Sequence, residues 1–190
     1  MEILVLSDSH GRVDHMVRAV EQDLGPVSLL VNNAGIAGQM LFQDITDEDW
    51  DRIFDINIKG VYRSIQAALP YLMKRERSRI VTFSSMWGQV GASCESHYAA
   101  SKGAVIALTQ SLAKELGPSG VRVNCVSPGT ILTDMTAVLG QETLDALAEE
   151  TPLERNGSPE DAARAAAFLC SEAADFITGQ VVAVNGGYIV

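Results

Sequence analysis

Apolar residues along this chain fall into two spacings. Over residues 13–24 they recur at Val13, Met16, Val17, Val20 and Leu24, the three-and-four step that lines one face of a helix. Over residues 2–6, 27–31, 79–83, 121–126 and 180–184 they form short continuous runs rich in Val, Ile and Leu, the pattern of strands covered on both faces. Helical stretches are predicted over 46–74 and 96–116, with a looser helical insertion over 133–156. Gly25-Pro26 and Gly117-Pro118 stop helices. Thr46 with Asp49, and Ser158-Pro159-Glu160-Asp161, open them with a capping side chain and acids facing the positive end of the helix dipole. Strands alternate with helices, which predicts an α/β fold, a Rossmann-like parallel sheet with helices on both faces. No repeat, low-complexity segment or linker divides residues 1–190, so one domain is expected.

Composition narrows the partners. A chain of 190 residues, 47% apolar and 20% charged, can bury an ordinary globular core. Its net charge of −10 argues against a nucleic-acid backbone as partner, because such domains carry basic surfaces. No apolar run reaches the length of a membrane span, and residues 1–6 lack the basic start and long apolar region of a signal peptide. Cys94, Cys125 and Cys170 are scattered and make no metal or redox motif, which fits reduced packing residues in a cytoplasmic protein. Trp50 and Trp87 are read as packing anchors.

The candidate chemistry lies in the second half. Tyr98-Ala99-Ala100-Ser101-Lys102 places a phenol and an amine four residues apart, on one face of the 96–116 helix. A phenol titrates near ~10 in solution. A neighbouring ammonium stabilises the phenolate, so Tyr98 could exchange a proton with an alkoxide or alcohol. Such a pair alone is more often a solvated helix face. Ser85 changes that weighing, because it follows the strand 79–83 and so sits at the carboxyl edge of a parallel sheet, where open α/β folds bind ligands. The plainer reading of Ser84-Ser85 is a turn or cap.

Taken in order, Asn32-Asn33-Ala34-Gly35 after a strand, Asn57 in a helix, Ser85, and Tyr98-x-x-x-Lys102 resemble the signature of the short-chain dehydrogenase/reductase family. Pro128-Gly129-Thr130-Ile131-Leu132-Thr133 is similar to that family's nicotinamide-side segment, and residues 177–187 are similar to its C-terminal end, with Asn185 where Asp is common. The nearest flavour is 3-oxoacyl-(acyl carrier protein) reductase. The resemblance implies NADP or NAD as cofactor and a small carbonyl compound or secondary alcohol as substrate, a 3-oxoacyl thioester among them. It implies Tyr98 as general acid/base, Lys102 lowering its pKa and holding the nicotinamide ribose, Ser85 orienting the carbonyl, and Asn57 holding a water that relays protons to Lys102. Asn33, Ala34 and Gly35 would line the cofactor, Pro128 and Gly129 would belong to its nicotinamide side, and Ile131 and Thr133 would border the nicotinamide. The helices over 46–74 and 96–116 resemble the pair through which the family forms homodimers and homotetramers. The basic run Lys74-Arg75-Glu76-Arg77-Ser78-Arg79 reads either as a dock for an acidic carrier protein or as cations favoured at a helix C-terminus.

The front departs from the pattern. The family's Gly-rich turn, Thr-Gly-x-x-x-Gly-x-Gly, has no counterpart before Asn32, and roughly fifty to sixty residues of an ordinary dinucleotide fold are missing from it. The expected fold is therefore N-terminally truncated or spliced: an atypical strand and helix over residues 1–24, then the family core over 25–190. Residues 2–6 occupy either the place of the family's first strand, beside residues 27–31, which is the preferred arrangement, or that of its third. Ser7-Asp8-Ser9-His10-Gly11 resembles the start of a metallophosphoesterase, but that resemblance stops after eleven residues and no metal site is expected. Without a pyrophosphate cradle, NAD(P) binding is expected to be weakened, and the rival reading is a catalytically silent scaffold or partner-binding module that keeps the fold.

Overall fold

The computed structural model describes residues 4–6, 13–23 and 25–190. Strand β1 (Leu4–Leu6) leads through helix α1 (Val13–Asp23) to β2 (Leu29–Asn32). Helices α2 (Asp47–Phe54) and α3 (Gly60–Leu72) precede β3 (Ser78–Phe83). A short α4 (Trp87–Val90) and the long α5 (Ser96–Leu116) lead to β4 (Val121–Pro128). Then α6 (Asp134–Ala137), α7 (Gln141–Glu150) and α8 (Pro159–Cys170) come before β5 (Val181–Val184).

The five strands pair in parallel in the order β1-β2-β3-β4-β5. Leu4 pairs with Leu30, so β1 lies directly beside β2, as in the preferred of the two arrangements. The motif at residues 7–11 lies outside the described residues. The helix expected over 46–74 is instead three consecutive pieces: α2, a π turn over Asp55–Lys59, and α3. A π turn inserts one residue into the helical register and recurs at functional sites; this one carries Asn57. Both predicted capping boxes form, at Thr46/Asp49 and Ser158/Asp161.

Alternate residues of each strand feed two cores. Leu30, Ile80, Val121, Val123 and Cys125 face Val13 and Val17 of α1, Ile65 and Leu72 of α3, and Val105 and Leu116 of α5. Leu29, Val81 and Val126 point the other way, against Ala166, Leu169 and Cys170 of α8. Helices thus cover both faces unequally. Every connection steps the same way along the sheet. Those through α1, α3 and α5 therefore share one hand, and the β4–β5 connection through α8 must take the opposite one. Parallel crossovers are right-handed in all but about 2% of cases, which makes the last connection the exception.

The basic run lies just past α3, and its cations are matched internally. Arg75 bonds Glu21, while Arg77 and Arg79 reach Asp175, which Arg122 also approaches at 3.6 Å. Lys74 sits 5.5 Å from the centre of the Tyr71 ring. No described helix is long and apolar enough to cross a membrane.

Because Leu169 is fully buried and anchors α8, Leu169→Ala is expected to cost about 2–5 kcal/mol of unfolding free energy, measured by urea denaturation. A loss under about 1 kcal/mol would mean that α8 does not hold the second face.

Candidate active site

The carboxyl ends of β2, β3 and β4 are neighbours, and the predicted residues gather there. Asn33, Ala34 and Gly35 continue β2, Ser84 and Ser85 continue β3, and Pro128 closes β4 before Gly129. Helix α5 approaches this edge with its first turns, which carry Tyr98 and Lys102. The approach is very close. The Ser84 hydroxyl donates to the Lys102 carbonyl at 2.8 Å, and a Cβ at Gly88 would fall 2.7 Å from the Lys102 carbonyl carbon. Only glycine fits on α4 at that point.

Lys102 is 5% exposed. Its Nζ lies 5.9 Å from the centre of the Tyr98 ring and donates to the Phe83 carbonyl at 3.0 Å. Burial pushes its pKa down to about 8, with Cys125 acting weakly the other way. Burial likewise pushes the Tyr98 phenol above its ordinary value; a hydrogen bond with Ser85 pulls it down, and the Glu95 carboxylate raises it further. Desolvation is the largest of these influences and sets the net direction. The Ser85 hydroxyl also accepts from the Trp87 N–H at 3.2 Å, as the turn reading of Ser85 expects.

Asn57 ties the site together from the π turn. Its Nδ2 donates to the Ile36 carbonyl at 2.9 Å and to Ser101 Oγ at 3.0 Å, and its Oδ1 accepts from the Ile36 N–H at 2.8 Å. These bonds clamp the loop after Gly35 onto α5. A Cβ at Gly35 would lie 3.1 Å from Lys102 Nζ and 3.2 Å from Asn57 Oδ1, so glycine leaves the backbone open beside the amine.

Not every candidate is held so tightly. Asn33 and Thr133 are exposed, while Ala34, Pro128, Gly129 and Ile131 are half-buried. Ile131 bridges to Gly157, and Thr133 caps α6, whose Thr136 hydroxyl accepts from the Thr133 N–H at 3.0 Å. Gly129 abuts Asn185, where a Cβ would come within 2.8 Å of the Asn185 Cα. Sequence reasoning missed Ser101, Ile36 and the Phe83 carbonyl, which bind the named residues without any local motif of their own. Among the described residues no group of three or more His, Cys, Asp or Glu is placed to hold a metal.

The residues present fit the nicotinamide end of a dinucleotide. An ammonium has three donors, and only one on Lys102 is taken, by Phe83. Its Nζ lies 3.1 Å from where a Gly35 Cβ would stand, so the missing side chain leaves room beside the amine.

Comparison with known proteins agrees with this geometry. A family model described as Enoyl-(Acyl carrier protein) reductase matches residues 8–189. A 3-oxoacyl-[acyl-carrier-protein] reductase FabG of Staphylococcus epidermidis is 39% identical over 175 residues, 92% of this chain and 72% of the relative. The FabG of Aquifex aeolicus is 45% identical over 161 residues, 85% of this chain and 65% of its own. A short-chain dehydrogenase/reductase structure from Brucella melitensis superposes with a TM-score of 0.91 at 41% identity, covering 96% of this chain and 73% of that one. A gluconate 5-dehydrogenase from Burkholderia cenocepacia, solved in complex with NADP and tartrate, gives 0.89 at 30% identity, covering 95% and 71%.

The buried amine yields a stability prediction. Lys102 loses its proton near 8 when folded but near ~10.4 when unfolded. Between those values the unfolded chain binds more protons, so stability rises with pH across that window. Compared with Lys102→Met, the parent is expected to gain about 2 kcal/mol between about pH 7 and about pH 9.5 in urea unfolding. A difference that stays constant would refute the buried, shifted amine.

Proposed function

This chain belongs to the short-chain dehydrogenase/reductase family, and from that premise we propose that it is an NAD(P)-dependent oxidoreductase that reduces a carbonyl through Tyr98. The observation that carries the reading is the convergence of Tyr98, Lys102, Ser85 and Asn57 at one strand edge. The nicotinamide cofactor supplies the hydride, and Lys102, Tyr98, Asn33, Ala34, Gly35, Pro128, Gly129, Ile131 and Thr133 are the residues that would hold it. Ser85 donates a hydrogen bond to the substrate oxygen and fixes the carbonyl next to the phenol. Tyr98 then gives its proton to the oxygen as negative charge develops there. Burial keeps that phenol protonated at neutral pH, the form that reduction consumes. Alcohol oxidation needs the phenolate and so is favoured by alkali. Lys102, a cation below about 8, holds positive charge near the phenol. Asn57 keeps α5 and the Gly35 loop in register, and the water relay to Lys102 belongs to the same reading.

The names of the relatives extend the substrate to a 3-oxoacyl thioester, delivered by an acyl carrier protein. Arg77, an exposed cation of the basic run at 65% side-chain exposure, supports a carrier contact. Exposed Trp50, Ile56, Tyr62 and Met73, in α2, the π turn, the first turn of α3 and just past its end, support a homodimer or homotetramer. Three unpaired cysteines support a cytoplasmic location.

The catalytic assignment predicts that Tyr98→Phe lowers ketone-dependent NADPH oxidation by about 10²–10⁴-fold, with reduction by the parent falling as pH rises through about 8, where Lys102 loses its charge. Activity surviving the substitution would remove Tyr98 from the mechanism.

Cofactor affinity is the second test. Each charge-assisted hydrogen bond to a pyrophosphate contributes roughly 1.5–3 kcal/mol, and no Gly-rich turn follows β1 in this sequence. This chain alone is therefore expected to bind NADPH with a Kd above about 100 μM by calorimetry. Low-micromolar binding would show that the cradle is made in another way, and no binding at all would favour the scaffold reading.

A further inference from the structure

The connection from β4 to β5 crosses the strand edge that holds Tyr98, and the last six residues strap it down. Asn185 builds the strap. Its Oδ1 accepts from the Gly187 N–H, its Nδ2 donates to the Ile189 carbonyl, and its own carbonyl accepts from the Tyr188 N–H, all at 3.0–3.1 Å. Gly186 and Gly187 have φ of +64° and +89°, which reverses the chain. The strap then lies against the segment after α7. The Leu153 N–H donates to the Gly186 carbonyl at 3.2 Å, and a Cβ at Gly186 would sit 2.5 Å from Thr151 Cγ2.

Tyr188 closes this arrangement at two points. Its hydroxyl donates to Glu150 Oε2 at 2.7 Å, at the last residue of α7. Its ring meets Trp87 edge-on, with centres 5.9 Å apart and planes at 86°. Trp87 in turn donates its backbone N–H to the Ser85 hydroxyl. A chain of direct contacts therefore runs from the cap, α6–α7, to the residue that orients the carbonyl. Leu132, Met135, Val138 and Leu153 expose apolar surface along the same cap, so it carries a face suited to an apolar substrate.

We propose that Tyr188 is the latch of this cap and a positioning residue for Ser85: its bond to Glu150 holds α7 over the strand edge, and its contact with Trp87 holds the turn that aims the Ser85 hydroxyl. The proposal rests on the reading of Ser85 as the carbonyl-orienting residue. Releasing the bond loosens α7 and weakens the grip on substrate, while the proton transfer at Tyr98 is untouched.

The test uses the full chain and four variants, Tyr188→Phe, Glu150→Ala, Glu150→Gln and the double Tyr188→Phe/Glu150→Ala. Hydrogen exchange is read first, because it does not depend on activity. Amides of residues 141–153 are expected to exchange about tenfold faster in Tyr188→Phe and Glu150→Ala. The double variant should be no faster than either, since both remove one bond. Glu150→Gln keeps an acceptor and should match the parent. In ketone reduction, KM should rise about three- to tenfold in Tyr188→Phe with kcat changed less than about twofold, and Tm should stay within about 2 °C. Unchanged exchange over 141–153, exchange quickened throughout the chain, or additive effects in the double variant would each overturn the latch. A parent without reductase activity would count against the proposed function, while the exchange result would still decide the latch.

Discussion

The site depends on a buried amine. Lys102 is held almost out of solvent between the end of β3 and the Gly35 loop. Burying a cation is unfavourable unless it is paired, and here one backbone carbonyl and the Tyr98 ring are the partners described. The surroundings are shaped to tolerate that cost. Gly35 and Gly88 let two backbone segments come within contact distance of Lys102, and the Ser84 hydroxyl satisfies its carbonyl. A lysine in this position destabilises the fold at neutral pH, a cost that its proposed role beside Tyr98 accounts for. The same desolvation raises Tyr98, so burial keeps the proton on the phenol and moves it toward loss from the amine.

Much of this was legible because it is local. Tyr98 and Lys102 are one helical turn apart and Ser85 follows an apolar strand, and it was their resemblance, in that order, to a family signature that put all three at one edge. The helix over 96–116 was likewise readable to the residue, since Gly117-Pro118 ends it. Asn57 was recognised but its bonding partners were not. Its partners Ile36 and Ser101 are 21 and 44 residues away, and no local pattern encodes such a meeting. The π turn was hidden for a related reason: its apolar spacing differs from that of an α-helix by one residue in a stretch that reads as helical throughout. The direction of the Tyr98 shift was misjudged because sequence shows a neighbouring charge but not the depth of burial.

The uneven cover of the sheet has its own logic. Three connections of one hand put α1, α3 and α5 on a single face, and only a reversal of hand can put a helix on the other. That reversal requires the chain, on leaving β4, to pass over the carboxyl edge of the sheet rather than fold straight back. The residues between Pro128 and Pro159 are therefore drawn across the edge where Ser85 and Tyr98 lie. The topology that gives Leu29, Val81 and Val126 something to pack against also delivers a cap to the site.

A cap delivered in this way is tethered at both ends but not along its length. At one end Ile131 pairs with Gly157, and at the other Ser158 and Asp161 start α8 with a capping box. Between them α6 and α7 bury little: Leu144 is their one buried residue. An element with so few buried contacts opens at low free-energy cost unless something outside it adds a contact. The C-terminal strap is that addition, and it reaches the cap after crossing the edge strand β5. On the proposed latch, the order of elements ties residues 185–190 to a site whose proposed catalytic side chains were placed many residues earlier. The cap cannot be fastened until the last strand has been added, so the integrity of β5 and its turn is a condition for a closed site and not only for a stable sheet.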